Sequence, residues 1–472
     1  MPGINGALMP GGFRPIDGSG VTQPLYLPPD DLMTHAVVLG MTGSGKTGLL
    51  MVLVEEAVRS SIPVLVIDIK GDLPNLLLTF PALSARAFEP WLDAVAARRS
   101  GRTVAEAAKA IAADWRTKLA DWRLGPADVA RLHAAMAPRI LTPGSTAGEP
   151  LHVLSAIEQP SPLWSTDIEA ARESLSASIS LLLRLIGRDA DPVRSRDHVV
   201  LSVFAEHRLR DGKPAGVTDL LADLQAPPLA EIGAMSIDDF LPKRERTSLA
   251  KALNTLLASP TFESWRKGSP LDIEQWLAPS EDKRTPAVIV SVAHLDDDER
   301  ALVLGVVLEQ FLAWVRAQSG SEQLRALLVF DEIYGFVPPH PANPPTKRPL
   351  VQLIKQGRAF GVGAVLATQN PMDLDYRALS NAGIWMVGRL QTNADRKRVV
   401  EAMSSDGGLD DMEPEELSEK LKVLSPRWFV MRNVHRSPSL ALLKSRTTLS
   451  WMRGPMMRKD LRRLVGGLPT KT

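Results

Sequence analysis

The chain has 472 residues, a formal net charge of +1, 44% hydrophobic and 23% charged residues, and no cysteine. That length accommodates two or three domains, and the composition is that of a water-soluble globular protein. The lack of cysteine excludes disulfides, thiolate metal sites and cysteine nucleophiles and accords with a reducing cytoplasm; the near-neutral charge excludes a global attraction to polyanions, leaving only local patches for a nucleic acid.

Met1–Gly20 lacks the basic start and apolar core of a signal peptide, and no apolar run is long enough to span a bilayer. A cytoplasmic protein without a membrane partner is therefore expected. The eight histidines show no metal-ligand spacing.

In chain order, residues 1–31 are rich in Gly and Pro and are expected to form an extended arm. His35–Leu39 reads as a buried strand, and Leu49–Val58 has helical spacing. Between them Gly40-Met-Thr-Gly-Ser-Gly-Lys-Thr47 fits the G-x-x-x-x-G-K-[ST] phosphate loop. Strand, glycine loop and helix is the context this loop needs, because the glycines turn backbone N–H groups inward and the helix N-terminus favours an anion. Gly40, Thr42, Gly43, Ser44, Gly45 and Gly48 are assigned to this nucleotide-binding segment. Lys46 is expected to reach the β- and γ-phosphates, and Thr47 to place its hydroxyl on Mg²⁺. The expected ligand is ATP with Mg²⁺.

Pro63–Asp68 predicts a second strand, leading into Ile69-Lys70-Gly71-Asp72. Asp68 and Lys70 stand at the carboxyl end of that strand, where open α/β sheets hold ligands, although a plain turn with surface charges has the same letters. Residues 32–80 are taken as the first part of the core. Residues 81–159 read as a helical and mixed insertion, with Arg139–Thr142 and Leu151–Leu154 as short strands that return to the core. Residues 160–275 read as an all-helical insertion whose arginines are solvated faces.

The second part of the core, 276–450, opens with the strand Ala287–Val292. The acid run Asp296–Glu299 then complements the dipole of a long helix in preference to forming a metal cluster. Ala301–Trp314 within it, interrupted by Glu309 and Gln310, reads as an amphipathic core helix. Arg325–Phe330 is an apolar strand without alternation, as suits a strand covered on both faces, and it ends in Asp331-Glu332. Asp331 can hold the Mg²⁺ shell, and Glu332, one residue on, can polarise the attacking water.

Val337–Pro349 carries six prolines and predicts a stiff projecting loop bearing Lys347 and Arg348, either a connector or a substrate contact. Leu350–Phe360 predicts a helix and Gly363–Gln369 a strand, with Gln369 placed to sense the γ-phosphate. Ile384–Val387 and Trp428–Met431 predict further strands, the latter as the last of the core. Residues 451–472 form a basic arm with Arg453, Arg458, Lys459, Arg462 and Arg463, to be read as a subunit strap, a nucleic-acid contact or a solvated helix.

Leu353-Ile-Lys-Gln-Gly-Arg-Ala-Phe-Gly-Val-Gly-Ala-Val-Leu-Ala-Thr-Gln-Asn-Pro371, then Leu379–Gly383 and Gly388-Arg-Leu-Gln391, resemble the HerA/FtsK superfamily of ring-forming ATPases, and more closely its bacterial HerA-like branch. The Met41–Gly45 loop and Phe330-Asp-Glu332 match as well, so the resemblance covers residues 33–75 and 285–455 with its motifs in order. It implies an α/β fold with an additional-strand RecA-like P-loop core, assembled as a homo-oligomer, usually a hexamer, around duplex DNA. It also implies that Lys46 and Thr47 bind triphosphate and Mg²⁺, Asp331 holds the metal, Glu332 is the base and Gln369 the sensor. Arg358 matches the family's trans-acting arginine finger, a planar and always charged group suited to the γ-phosphoryl. Arg389 is a second candidate, and a surface salt bridge is the plain alternative for either. The family's N-terminal β-barrel is expected to be lacking, since too few residues precede Gly40.

The function expected from this reading is an ATP-hydrolysing ring motor that translocates on or remodels duplex DNA, with a nuclease or other effector as partner. The alternatives are a protein-handling ATPase similar to type IV secretion energisers, and a non-motor, ATP-gated scaffold for a partner enzyme.

Overall fold

The computed structural model describes residues 6–158, 163–371, 375, 382–404, 409 and 412–466. Its strands are β1 (Leu8–Pro15), β2 (Gln23–Leu27), β3 (Ala36–Leu39), β4 (Val64–Asp68), β5 (Met136–Pro143), β6 (Glu149–His152), β7 (Glu231–Ile232), β8 (Met235–Ser236), β9 (Ser269–Pro270), β10 (Thr285–Ser291), β11 (Ser321–Phe330), β12 (Phe360–Thr368), β13 (Ile384–Val387), β14 (Trp428–Asn433) and β15 (Leu440–Ser445). The helices used below are α1 (Lys46–Arg59), α2 (Val104–Ala120), α3 (Ile168–Leu185), α4 (Asp297–Ala317), α5 (Lys347–Gln356) and α6 (Arg458–Gly466).

One sheet runs through the molecule in the order β2-β1-β15-β14-β13-β3-β12-β11-β4-β10-β5-β6-β9. The block from β13 to β9 is parallel. From β13 to β2 every pairing is antiparallel. The parallel strands β3, β4 and β10 are buried at every position, which is why their sequences are apolar runs without alternation. Successive residues of β3 face opposite cores. Val37 and Leu39 join the layer containing α3, α4 and α5; Ala36 and Val38 join the layer containing α1 and α2. The strand of the phosphate loop lies beside β12, and β12 beside β11, so a strand separates the loop from the Asp331-Glu332 strand. This is the additional-strand arrangement of a RecA-like α/β core.

Several boundaries differ from the sequence reading. Over its described residues, the stretch read as an arm is a β-hairpin, β1 and β2, added to the sheet against β15. Its glycines fit a strand because a neighbouring backbone comes close: a Cβ on Gly11 would lie 2.0 Å from the Lys444 carbonyl oxygen. Trp428–Asn433 is not the last strand, since β15 follows and joins it to that hairpin. The stretch 160–275 is mostly helical but also forms the β7–β8 hairpin and sends β9 to the sheet edge. The strands read at 139–142 and 151–154 do return to the sheet, as β5 and β6. Asp296 caps α4 in a capping box with Glu299, so the acid run works as helix-terminal charge.

The proline-rich segment ends earlier than its composition implies. Lys347 and Arg348 form the first turn of α5, where Pro349 is tolerated because the first helical N–H groups have no intrahelical acceptor. Both side chains are engaged. Lys347 pairs with Asp375 at 3.0 Å, and Arg348 pairs with Glu173 on α3 and, at 2.7 Å, with Glu309 on α4. They tie the helical layer to the core instead of projecting as free cations. The basic segment from 451 onward likewise folds back. Arg453 pairs with Asp460 and donates to the Trp91 carbonyl, while Arg463 donates to the Pro90 carbonyl and lies over the Trp91 ring. Among the described residues no helix is long and apolar enough to cross a membrane.

Candidate nucleotide-binding and hydrolysis site

The C-terminal ends of β3, β4, β11 and β12 converge on one edge of the sheet, and the candidate residues gather there. The loop after β3 turns at Gly45, which has φ 100 and packs on Arg427: a Cβ there would lie 3.0 Å from Arg427 Cγ. A side chain at that position is disfavoured by both conformation and space. The loop is also pinned from outside, by Met41 N donating to the Arg389 carbonyl at 3.0 Å and Arg427 N donating to the Ser44 carbonyl at 2.8 Å. Gly40, Thr42, Gly43, Ser44 and Gly45 form the turn, and Lys46, Thr47 and Gly48 the first turn of α1.

Lys46 is buried, and its ammonium donates to the carbonyls of Gly40 and, at 3.2 Å, Met41. Burial pulls its pKa down to about 8, against the opposing pull of Glu332 and Asp331. Asp331 is 5% exposed; its backbone N donates to the Ile67 carbonyl at 3.3 Å, and its carboxylate has no hydrogen-bond partner among the described residues. Burial pushes its pKa up to about 6, opposed by the Lys70 charge. Loop lysine and strand-end carboxylate are thus both held at an energetic disadvantage, a pattern concentrated at functional sites.

Glu332 is tied by three donors. Lys70 Nζ donates to Oε2 at 2.7 Å; Thr368 Oγ1 at 3.0 Å and Gln369 N at 3.2 Å donate to Oε1. The backbone of Glu332 is left-handed, φ 62, which a non-glycine residue adopts at a cost of about 1 kcal/mol or more. Thr42 Oγ1 donates to Gln369 Oε1 at 2.6 Å, so the phosphate loop is joined directly to the strand-end glutamine.

Asp68 and Lys70 part company. Asp68 is buried and accepts from Ser291 Oγ at 2.9 Å, Gly71 N at 3.0 Å and Leu73 N at 3.3 Å. It shapes the turn, and burial lifts its pKa to about 6. Lys70 points into the site.

Arg358 lies elsewhere. It is exposed in the turn Gly357–Ala359 that precedes β12, whereas Gln369 follows β12. The strand separates them by roughly 25 Å. The turn is fixed by His35, at the N-terminal end of β3. His35 Nδ1 accepts from Ala364 N at 3.1 Å and Nε2 donates to the Ile354 carbonyl at 2.9 Å, while Gly357 packs against the ring. Burial holds the His35 pKa down to about 4, so the ring is neutral. Arg389 is on the opposite edge from Arg358, directly beside its own phosphate loop. The site therefore brings together Lys46, Thr47, Asp331, Glu332, Gln369 and the backbone at Arg389, and leaves Arg358 apart. Residues 379–381 of the Leu379–Gly383 motif lie outside the described residues.

Lys70, which the sequence leaves open between a ligand position and a surface charge, belongs to the site. Arg427 is the contributor with no local signal in the sequence. Arg427 sits on the phosphate loop with φ 68 and donates to the Ser445 carbonyl at 2.7 Å.

This fold and this loop define a P-loop NTPase with a RecA-like core. Residues 14–138 match the family model described as the central domain of the helicase HerA. Over 134 residues the chain is 28% identical to the DNA double-strand break repair helicase HerA of Saccharolobus solfataricus, a match spanning 28% of this chain and 26% of that protein. VirB4 of Thermoanaerobacter pseudethanolicus superposes with a TM-score of 0.51 at 14% identity, covering 94% of this chain and 98% of that one. The plasmid coupling protein TrwB in complex with ADP and Mg²⁺ gives 0.50 at 15% identity, over 91% and 89%. Motifs and match together make this chain similar to the ATPase core of the HerA/FtsK type, over about a quarter of its length and of that relative's.

Proposed function

We propose that the protein is an ATP-hydrolysing ring motor that acts on duplex DNA. One observation carries the ring: Arg358 is on the opposite edge of the sheet from the chain's own phosphate loop. A guanidinium roughly 25 Å away cannot touch its own γ-phosphate, but in a head-to-tail ring it can meet a neighbour's. The resemblance to the HerA helicase and the HerA-like motifs support duplex DNA as the track, with a nuclease or other effector as partner.

In the chemistry proposed, the backbone N–H groups of the loop bind the phosphates, and Lys46 leaves the Gly40 and Met41 carbonyls for phosphate oxygens. Among the described residues no cluster of three or more acidic or histidine side chains forms a metal cage. Mg²⁺ binds through one or two carboxylates plus substrate phosphates, and Asp331, whose buried carboxylate accepts no hydrogen bond among the described residues, would hold it with Thr47. Bound Mg²⁺ would supply charge neutralisation on the β- and γ-phosphates. Glu332 would accept the proton of the attacking water, Gln369 would report the γ-phosphate, and Arg358 of a neighbour would stabilise charge on the transferring group. Arg389, beside its own loop, is proposed as a contact in cis.

The test is the ATPase rate with and without duplex DNA at several salt concentrations, beside mass measurement with and without nucleotide. Duplex stimulation that fades with salt, and a nucleotide-stabilised ring, are expected. A ring whose hydrolysis ignores duplex DNA would point to the protein-handling reading. Complex formation without movement along DNA would point to the ATP-gated scaffold.

A further inference from the structure

Lys70 enters the hydrolysis site from the turn after β4, outside both the phosphate loop and the Asp331-Glu332 strand. We infer that it is a positioning residue: its ammonium holds Glu332 parked against the end of β12, so that turnover waits until this contact is broken. The inference rests on the proposed role of Glu332 as base.

The geometry is that of a carboxylate kept from water. Both oxygens of Glu332 are occupied, Oε2 by Lys70 at 2.7 Å and Oε1 by Thr368 Oγ1 and Gln369 N. Each donor takes up a lone pair of the carboxylate, and the charge-assisted bond from Lys70 is the strongest of the three. A base in this state has few lone pairs left for the water it must polarise.

Lys70 is delivered by a fixed turn. Asp68 takes the Gly71 and Leu73 N–H groups, Ser291 fixes the other oxygen of Asp68, and Met456 N donates to the Gly71 carbonyl at 2.8 Å. The backbone of the tether is therefore held from three sides. The Lys70 side chain is 38% exposed against 13% for Glu332, so the ion pair is one that an incoming anion can break. The γ-phosphate is such an anion, since Thr42, which would face it, is already linked to Gln369 and through Gln369 N to Glu332.

The experiment compares Lys70→Ala, Lys70→Arg and Lys70→Ala/Glu332→Gln with the unaltered full chain, without DNA. Lys70→Ala is expected to raise kcat roughly three- to fivefold, the span a partly exposed ion pair supports, with KM unchanged. Equilibrium binding of a fluorescent non-hydrolysable ATP analogue should match the unaltered protein, and a thermal melt checks folding. Lys70→Arg, which keeps the cation, should return kcat toward its original value. Lys70→Ala should add nothing in the Glu332→Gln background. A kcat that falls or does not change, a raised KM, weakened analogue binding, or an equal acceleration without Glu332 overturns the tether. A Glu332→Gln protein that turns over at the full rate overturns the base assignment, and the tether with it.

Discussion

Helix α1 carries buried charge at both ends, and the two ends are built on opposite principles. Near its C-terminus, Glu55 and Glu56 are matched by Arg446, with all three fully or nearly fully buried. Arg446 reaches Glu55 Oε2 and Glu56 Oε1 at 2.8 Å each, and the remaining lone pairs take the N–H groups of Leu449, Ser450 and Met9. Every charge there is paired, and the cluster fastens α1 to the end of β15 and to β1. At the N-terminus, Lys46 has only loop carbonyls and a pKa pulled down to about 8, and nearby Asp331 has a pKa pushed up to about 6. A satisfied network holds the fold; a frustrated pair is what an anionic ligand with its cation can relieve.

Breaking the satisfied end should have the largest effect. Arg446→Ala strands the buried carboxylate of Glu55 and leaves Glu56 with Arg59 as its one cation at 2.7 Å, and it is expected to destabilise the protein by about 3–5 kcal/mol, read by chemical denaturation. At the other end, Glu332→Gln is expected to retain ATP binding and lose about 10²-fold or more in turnover, whereas Lys46→Ala should weaken binding itself; single-turnover kinetics beside equilibrium binding separates the two.

Asp331→Asn sharpens the contrast, because it should stabilise the nucleotide-free protein. The folded pKa of about 6 lies above the unfolded 3.8, so the folded state binds this proton more tightly. The burden is absent below pH 4, grows as pH rises through 6 and is complete above it. The gain from Asp331→Asn, bounded by about 3 kcal/mol, is thus expected at pH 8 and should vanish by pH 4. Melts across that range check it, and a gain independent of pH would remove the carboxylate charge as its source. The smallest effect is expected for Arg348→Ala, a partly exposed link between α5 and the acids Glu173 and Glu309. A loss of about 1 kcal/mol or less is expected, with an unchanged salt slope for any duplex binding.

What was legible in the sequence is what is local in it. The phosphate loop, Asp331-Glu332 and Gln369 each sit at the end of an apolar strand, so type and context were readable in a few consecutive residues. The antiparallel flange was not. The Gly- and Pro-rich letters of β1 describe a turn until Lys444 and its neighbours are known to lie against them, and β15 is short and flanked by loops. Lys347 and Arg348 looked free because their acids, Glu173, Glu309 and Asp375, are distant in sequence or on another element. The same holds for the basic C-terminal segment, whose partners are backbone carbonyls at residues 90 and 91. Arg427 reaches the loop only because β14 runs antiparallel beside β13, which brings its start to the phosphate edge.

The separation of Arg358 from the phosphate edge is the feature on which the shared site depends, and subunit mixing tests it most directly. Arg358→Ala and Glu332→Gln proteins are each expected to bind ATP and hydrolyse it poorly. Mixed across a series of ratios, with mixed rings verified by mass, they should recover activity, because some interfaces then join an intact Glu332 to a neighbour's intact Arg358. Mixed rings that stay inactive at every ratio would contradict a finger acting between subunits.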